Sequence, residues 1–294
     1  MPVREAMIDA RRGRPATVPA IEIRALRTDD ELRQCVALQR ATWGMDYEDL
    51  VPPSVLTIAQ KIGGIAAGAF DADGRMIGFV FGMAGVRNGR IIHWSDMLAV
   101  RSDARDRGIG RRLKEYQREA AKASGATAMY WSYDPLVARN AHLNFNRLGV
   151  MVDEYVEDMY GASESDLHRG LGTDRFVVAW PLDAAARPAF AGAGASPLTE
   201  SAAMVLNPDA RVITGQRLIA IDAVPPADVR VEIPLDIVAV RDAAPDKAVH
   251  WRQSTRAAFQ WALGRGYAVA GFASDDVRGR GWYQMTRGGA GAGE

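Results

Sequence analysis

Cysteine is almost missing from this chain. With Cys35 alone among 294 residues, no intramolecular disulfide can form and a cysteine-rich metal site is excluded. Cys35 falls in a helical stretch rich in Leu, Val and Ala and reads as a buried structural thiol. Long apolar runs are missing too, so no membrane-spanning helix is expected. Residues 1–20 (MPVREAMIDARRGRPATVPA) lack the apolar centre of a secretory leader, and Glu5 and Asp9 count against a transit peptide. They read as a flexible tail, and the expected location is cytoplasmic. An excess of charge is absent as well: 36 Lys+Arg balance 36 Asp+Glu, which counts against a dedicated nucleic-acid binder. No cluster of His, Cys, Asp and Glu has the spacing of a metal site, and no metal is expected.

The most informative stretch runs from 91 to 124. Residues 91–100 (IIHWSDMLAV) are apolar and β-branched enough for a buried strand. Gly108 and Gly110 then allow a tight loop, and a helix follows from Arg111 to a stop at Gly125. Leu113, Tyr116, Gln117, Ala120 and Ser124 form its apolar stripe, with Arg112, Lys114, Glu115, Arg118 and Lys122 off it. A glycine loop that feeds a helix N-terminus offers free N–H groups and the positive end of the helix dipole to a phosphate. Arg101, Arg105, Arg107, Arg111 and Arg112 add attraction for a polyanion. The lysine of a G-x-x-x-x-G-K-[ST] loop is absent, which disfavours an NTPase. The spacing also differs from the dinucleotide G-x-G-x-x-G.

The motif Arg105-x-x-Gly108-x-Gly110, directly after a strand ending Leu98-Ala99-Val100, resembles the pyrophosphate loop of the GNAT superfamily of acyl-CoA-dependent N-acyltransferases. The resemblance implies an α/β fold with a mixed central sheet flanked by helices. The order of elements over residues 21–182 agrees: a strand at 21–26, a helix begun by Asp29-Asp30, and a loop marked by Trp43-Gly44 and Pro52-Pro53. A hairpin of 64–71 and 76–85, strands at 126–133, 150–155 and 176–182, and a helix over 137–148 complete it. Residues 183–200, rich in Ala, Gly and Pro, read as a linker. A smaller α/β lobe is expected over 201–287, with strands at 217–223, 229–233, 266–272 and 281–286 and a helix over 246–265; 288–294 reads as a second flexible tail. The lobe is expected to act as a cover or as a homodimer contact.

Carried over residue by residue, the resemblance assigns Leu98, Ala99 and Val100 to the pantetheine arm of an acyl-CoA. It assigns Arg105, Arg107, Gly108, Ile109, Gly110 and Arg111 to the pyrophosphate, and Asn140 to the CoA arm. Asp96, a carboxylate inside an apolar strand, is the candidate base for the acceptor amine, placed by period two on the face of Leu98 and Val100. His93 falls on the opposite face. Trp43 and Tyr47 are candidate acceptor-wall residues, each with core packing as the alternative. Tyr133 is a further candidate contact, and Arg175 or Arg139 a candidate clamp for a carboxylate. Phe145 stands where such enzymes commonly carry a tyrosine acid, which leaves Tyr133, Tyr155, Tyr160 or no residue at all in that role.

A narrower likeness, carried by Trp131-Ser132-Tyr133-Asp134-Pro135-Leu136 and by Thr173-Asp174-Arg175 among others, is to a GNAT branch with a C-terminal extension. Parts of that branch are associated with N-succinylation of amino acids. The donor implied is acetyl-CoA, succinyl-CoA or another acyl-CoA, and the acceptor a small-molecule amine, foremost an amino acid. Neither a nucleic acid nor a membrane is an expected partner. A non-catalytic acyl-CoA sensor and a protein or peptide N-acetyltransferase are the alternatives.

Overall fold

The computed structural model describes residues 21–45, 47, 49–161, 170–182, 203–211 and 225–287. The linker expected at 183–200, the strand expected at 217–223 and both terminal tails lie outside the described residues.

Seven strands build the first sheet: β1 (Glu22–Ala25), β2 (Ile65–Phe70), β3 (Met76–Arg87), β4 (Arg90–Val100), β5 (Ala128–Tyr133), β6 (Met151–Val156) and β7 (Arg175–Pro181). Their order is β1-β2-β3-β4-β5-β7-β6. All neighbours are antiparallel except β4 and β5, which run parallel. Period-two alternation divides the core between the two faces. On one face, Ala66, Phe79, Phe81, Met97 and Ala99 pack with Cys35 and Leu38 of α1 (Asp29–Trp43) and with Leu56 and Ala59 of α2 (Pro53–Lys61). On the other, Ala67, Ile77 and Val80 pack with Ile109, Leu113 and Ala121 of α3 (Ile109–Ala123).

Several local expectations change. Helix α1 is capped by Thr28 rather than by Asp29-Asp30. Its hydroxyl accepts from the Glu31 amide while Glu31 reaches back to the Thr28 amide, a reciprocal pair that satisfies two orphan donors. The loop after α1 ends sooner than expected, because Pro52-Pro53 opens α2 with a proline at its first position, where the missing N–H costs nothing. The helix over 137–148 is α-helical only in α4 (Ala138–Ala141) and continues as a π-helix through His142–Leu148, closing at Gly149 in the left-handed region (φ 67°).

The second sheet, ordered β10-β11-β9-β8, holds β8 (Met204–Val205), β9 (Asp228–Pro234), β10 (Tyr267–Asp275) and β11 (Arg280–Arg287). It carries α6 (Pro245–Gly264) and a short α5 (Ile237–Ala243), not anticipated, whose cap is Asp236. One continuous core joins both sheets. Phe176 of β7 lies 4.6 Å from Phe259 of α6 and 5.7 Å from Tyr283 of β11, ring centre to ring centre. Asn146 donates to the Phe272 carbonyl (2.8 Å) and accepts from the Phe272 amide (3.2 Å). Arg252 of α6 donates to the Asp134 carboxylate at 2.6 Å with both groups buried. Among the described residues, no helix is long and apolar enough to cross a membrane.

Candidate active site

Strands β4 and β5 share only three registered pairs, Ile92↔Ala128, His93↔Met129 and Trp94↔Tyr130. Beyond Trp94 they part, so the β5-facing edge of β4 from Ser95 to Val100 has no strand partner. A gap of this kind offers backbone N–H and C=O groups to an extended ligand, which can pair with them as a strand would. Leu98, Ala99 and Val100 line this edge.

At the open end of the gap, Gly108 takes the left-handed conformation (φ 72°) that a residue with Cβ rarely adopts, and α3 begins at Ile109. No side chain caps α3. Its first intrahelical bond within this turn is Arg112 N–H to the Gly108 carbonyl at 3.1 Å, so the amides of Ile109, Gly110 and Arg111 are left to an outside acceptor. A Cβ on Gly110 would stand 3.6 Å from Leu98, so the loop and the strand are in ordinary contact there. The arginines divide. Arg101 is engaged with Asp103, Arg111 with Glu115 (2.8 Å) and Arg112 with the Ile21 carbonyl (2.8 Å). Arg105 leans on the Val100 carbonyl at 3.4 Å, and Arg107 is exposed. Burial, then the neighbouring charge of Arg105, lowers the proton affinity of Arg139. That places Arg139 within electrostatic reach of Arg105 and Asp106. Asn140, half-buried, is the next residue of the same helix.

Asp96 sits on a β-bulge. Phe81 pairs with Met97 and Gly82 with Ser95, so Asp96 is the residue left over. The bulge overturns the period-two assignment. Ser95 faces α3, where Lys114 meets it, whereas Met97 packs in the α1/α2 cluster. Leu98 and Val100 pack toward α3, while Asp96 interacts electrostatically with Tyr47 and Asp49 of the loop after α1. Asp96 therefore does not share a face with Leu98 and Val100. Asp96 is exposed to solvent. Surrounding protein raises its pKa, Asp49 raises it further, and Trp94 opposes both. Across the strand, Gly82 has no room for a Cβ, which would come within 2.4 Å of His93 and 2.5 Å of the Trp94 carbonyl. His93 faces the other way, buried 3.0 Å from the Gln117 amide nitrogen. Burial and then the charge of Lys114 hold its pKa down at about 4.

Beyond Asp96, Tyr47 interacts with Asp49, Asp96, Tyr160 and Arg175, and burial drives its own pKa up to about 12. Trp43 stacks on Tyr47 (5.8 Å) and packs edge-on against Phe79 (6.1 Å), so it braces the wall from behind. Tyr160, 51% exposed, bonds Ser132 at 2.8 Å and lies 5.2 Å from the Arg175 guanidinium. Arg175 is buried, donates to the Asp174 carbonyl and lies 3.9 Å from Asp134. Tyr133 departs from expectation. It is buried behind this wall, with its hydroxyl 3.3 Å from that of Tyr283, and burial raises its pKa. Tyr155 is likewise committed, donating to the buried Asp174. Phe145 belongs to the aromatic core between Tyr133 and Tyr283.

The sequence reading missed Asp49, Ser95 and Lys114. Lys114 was placed off the apolar stripe of α3 and Ser124 on it, yet Lys114 is buried and Ser124 exposed. The i, i+3, i+4 spacing of Gly110, Lys114, Gln117 and Ala121 carried the signal, which the charge of a lysine obscured.

Residues 32–149 match the family model described as Acetyltransferase (GNAT) family. This stretch is a GNAT acetyltransferase domain. The matched stretch ends before β6, and the second sheet lies wholly beyond it. No curated protein matches the chain in sequence. Among solved structures, it is similar to a GNAT-family acetyltransferase from Streptococcus pneumoniae, at 20% identity over 55% of this chain and 99% of that one, with a TM-score of 0.44. It is also similar to a GNAT-superfamily phosphinothricin acetyltransferase from Sinorhizobium meliloti solved with AcCoA (18% identity, 55% and 88% covered, TM-score 0.45). A third likeness is to the ribosomal-protein-S18-alanine N-acetyltransferase of Escherichia coli (16%, 56% and 96%, 0.43).

Proposed function

We propose that the chain moves an acetyl or succinyl group from coenzyme A directly to the primary amine of a small molecule, foremost an amino acid. The observation that carries this reading is the bulge at Asp96, where β4 and β5 have just parted. It sets a carboxylate beside the gap into which a thioester would be laid. Leu98, Ala99 and Val100 would hold the pantetheine arm through backbone groups. The Ile109, Gly110 and Arg111 amides, with Arg105 and Arg107, would hold the pyrophosphate, and Asn140 would flank the arm. The uncapped helix start and the unpaired strand edge both fit such a ligand. The thioester supplies the acyl carbon; this chain's residues position the amine and move its proton.

Asp96 accepts that proton, and its raised pKa brings it nearer the operating range of a general base. With Asp49 it draws a cationic amine into the cleft. Tyr47 and Trp43 form the wall, and Arg175 supports binding of an acceptor carboxylate from the opposite side. Of the three tyrosines considered as proton donors, Tyr160 keeps an exposed ring near Tyr47, whereas Tyr133 and Tyr155 are committed elsewhere.

The test is release of free CoA thiol from acetyl-CoA and succinyl-CoA against pools of L- and D-amino acids and simple amines, with Asp96→Asn beside the wild type. Turnover with one pool, lost in the variant, is the expected result. Undiminished turnover in Asp96→Asn would remove the base from this account, and absence of acyl-CoA binding would remove the account itself.

A further inference from the structure

The ε-amine of Lys114 is buried, with the residue 4% exposed, and bridges the two strands where they separate. It lies 2.6 Å from Ser95 Oγ and 3.8 Å from the centre of the Trp131 ring. Ser95 and Trp131 are the first residues beyond the last β4–β5 pair, Trp94↔Tyr130. Lys114 therefore stands at the vertex of the gap. Among the described residues no carboxylate reaches it, and desolvation, with nothing opposing it, lowers its pKa well below the usual lysine range. Its other neighbour, His93 on the same face of β4, is neutral and supplies no negative charge. Gln117, one turn on, buries an amide oxygen that has no partner. A buried amine held by one hydroxyl and one ring face is under-satisfied: even in the neutral form that burial favours, it has two N–H donors and a lone pair to place.

This inference rests on the acyl-CoA reading above. With the pyrophosphate at the start of α3 and the arm along Leu98–Val100, the path up β4 from Val100 to Ser95 spans about 16 Å of strand. It leads away from the loop and ends at the vertex. The part of the ligand that arrives there is the far end of the acyl group.

We propose that Lys114 closes the acyl end of the cleft and selects a short acyl group that ends in a carboxylate. Such a group supplies the counter-charge that lets the buried amine hold a proton, and Ser95 can share the carboxylate. A methyl-ended chain of the same length would leave the amine buried and unanswered, which is the kind of mismatch a polar pocket rejects most strongly.

Succinyl-CoA and butyryl-CoA isolate the question, because they differ at the chain end in carboxylate against methyl. In the full-length wild type, succinyl-CoA should bind at least tenfold more tightly than butyryl-CoA in competition calorimetry, and the ratio of kcat/KM should follow. In Lys114→Met, which keeps the volume and removes the amine, that preference should vanish or reverse while CoA itself binds as before. Equal binding of the two donors to the wild type would overturn the proposal without any variant. So would a preference that survives in Lys114→Met. If free CoA binds normally in either of those cases, the acyl-CoA reading stands and only the role of Lys114 falls; if CoA and both donors all fail to bind, the reading itself fails.

Discussion

Asp96 and Asp49 act on each other at the scale of single residues. Because the surrounding protein and then Asp49 raise the proton affinity of Asp96, a base at this position would be active above its raised pKa and lost as pH falls through it. The acid limb of a kcat/KM–pH profile should therefore lie above the ordinary carboxylate range. Asp49→Asn removes a like charge and should move that limb to lower pH with turnover retained. Asp96→Asn should lower kcat/KM by about 100-fold or more. A limb unmoved in Asp49→Asn would show that another group sets it. Asp134 tests a different property. It answers Arg252 at 2.6 Å and stands 3.9 Å from Arg175, all three being buried. Truncating one side of such a pair strands the other, so Asp134→Ala should cost about 3–5 kcal/mol of stability in denaturant unfolding. A loss below about 1 kcal/mol would mean that water reaches the arginines.

At the scale of elements, the start of α3 depends on Gly108. A Cβ there would meet no atom within 4 Å, so the cost of a side chain is the left-handed backbone alone. Gly108→Ala should lose about 1–2 kcal/mol and raise the KM for the acyl donor, while Gly108→Asn, which tolerates this conformation, should lose less. Equal effects in the two variants would point to a steric cause instead. This loop was the most legible part of the sequence, because glycines, an alternating strand and a helical stripe all mark the same boundary. The bulge was not legible. One extra residue inside β4 leaves the composition unchanged, and only the partner strand reveals that Ser95 and Met97 face opposite ways. The burial of Lys114 was hidden for a related reason: a charged residue on an apolar stripe reads as solvated until the helix is seen packed over Ser95 and Trp131. Helix α2 was missed, because Pro52-Pro53 reads as a loop marker and yet can open a helix as well as interrupt one.

On the scale of the whole molecule, the residues after 200 are no detachable cover. Tyr283 donates to the Pro135 carbonyl at 2.7 Å and packs against Phe145 and Phe176, so β11 completes the wall that β5, α4 and β7 begin. Burial alone would raise the pKa of Asp174, yet Arg256 and Tyr155 hold it low. Its ties to Arg256 and Tyr155 therefore contribute stability above the unfolded carboxylate pKa and lose it as pH falls through the depressed folded value. The full chain should melt in one calorimetric transition near neutral pH, with Tm falling on acidification, and residues 21–182 alone should lack the sharp near-ultraviolet signal of a packed aromatic core. Two separated transitions would contradict the shared core. The order of elements along the chain was read correctly in outline, but nothing in the pattern of residues 201–287 told which face they would cover.

That shared core also constrains how the protein is made. Every strand of the first sheet has been synthesised by Pro181, but the aromatic cluster on β5 and β7 stays uncovered until Tyr283 has followed. During translation the nascent sheet must wait, with Tyr133, Phe145 and Phe176 exposed, for about a third of the chain still to come. Chaperone demand should accordingly peak late, after the anion loop has been completed and before β11 has emerged.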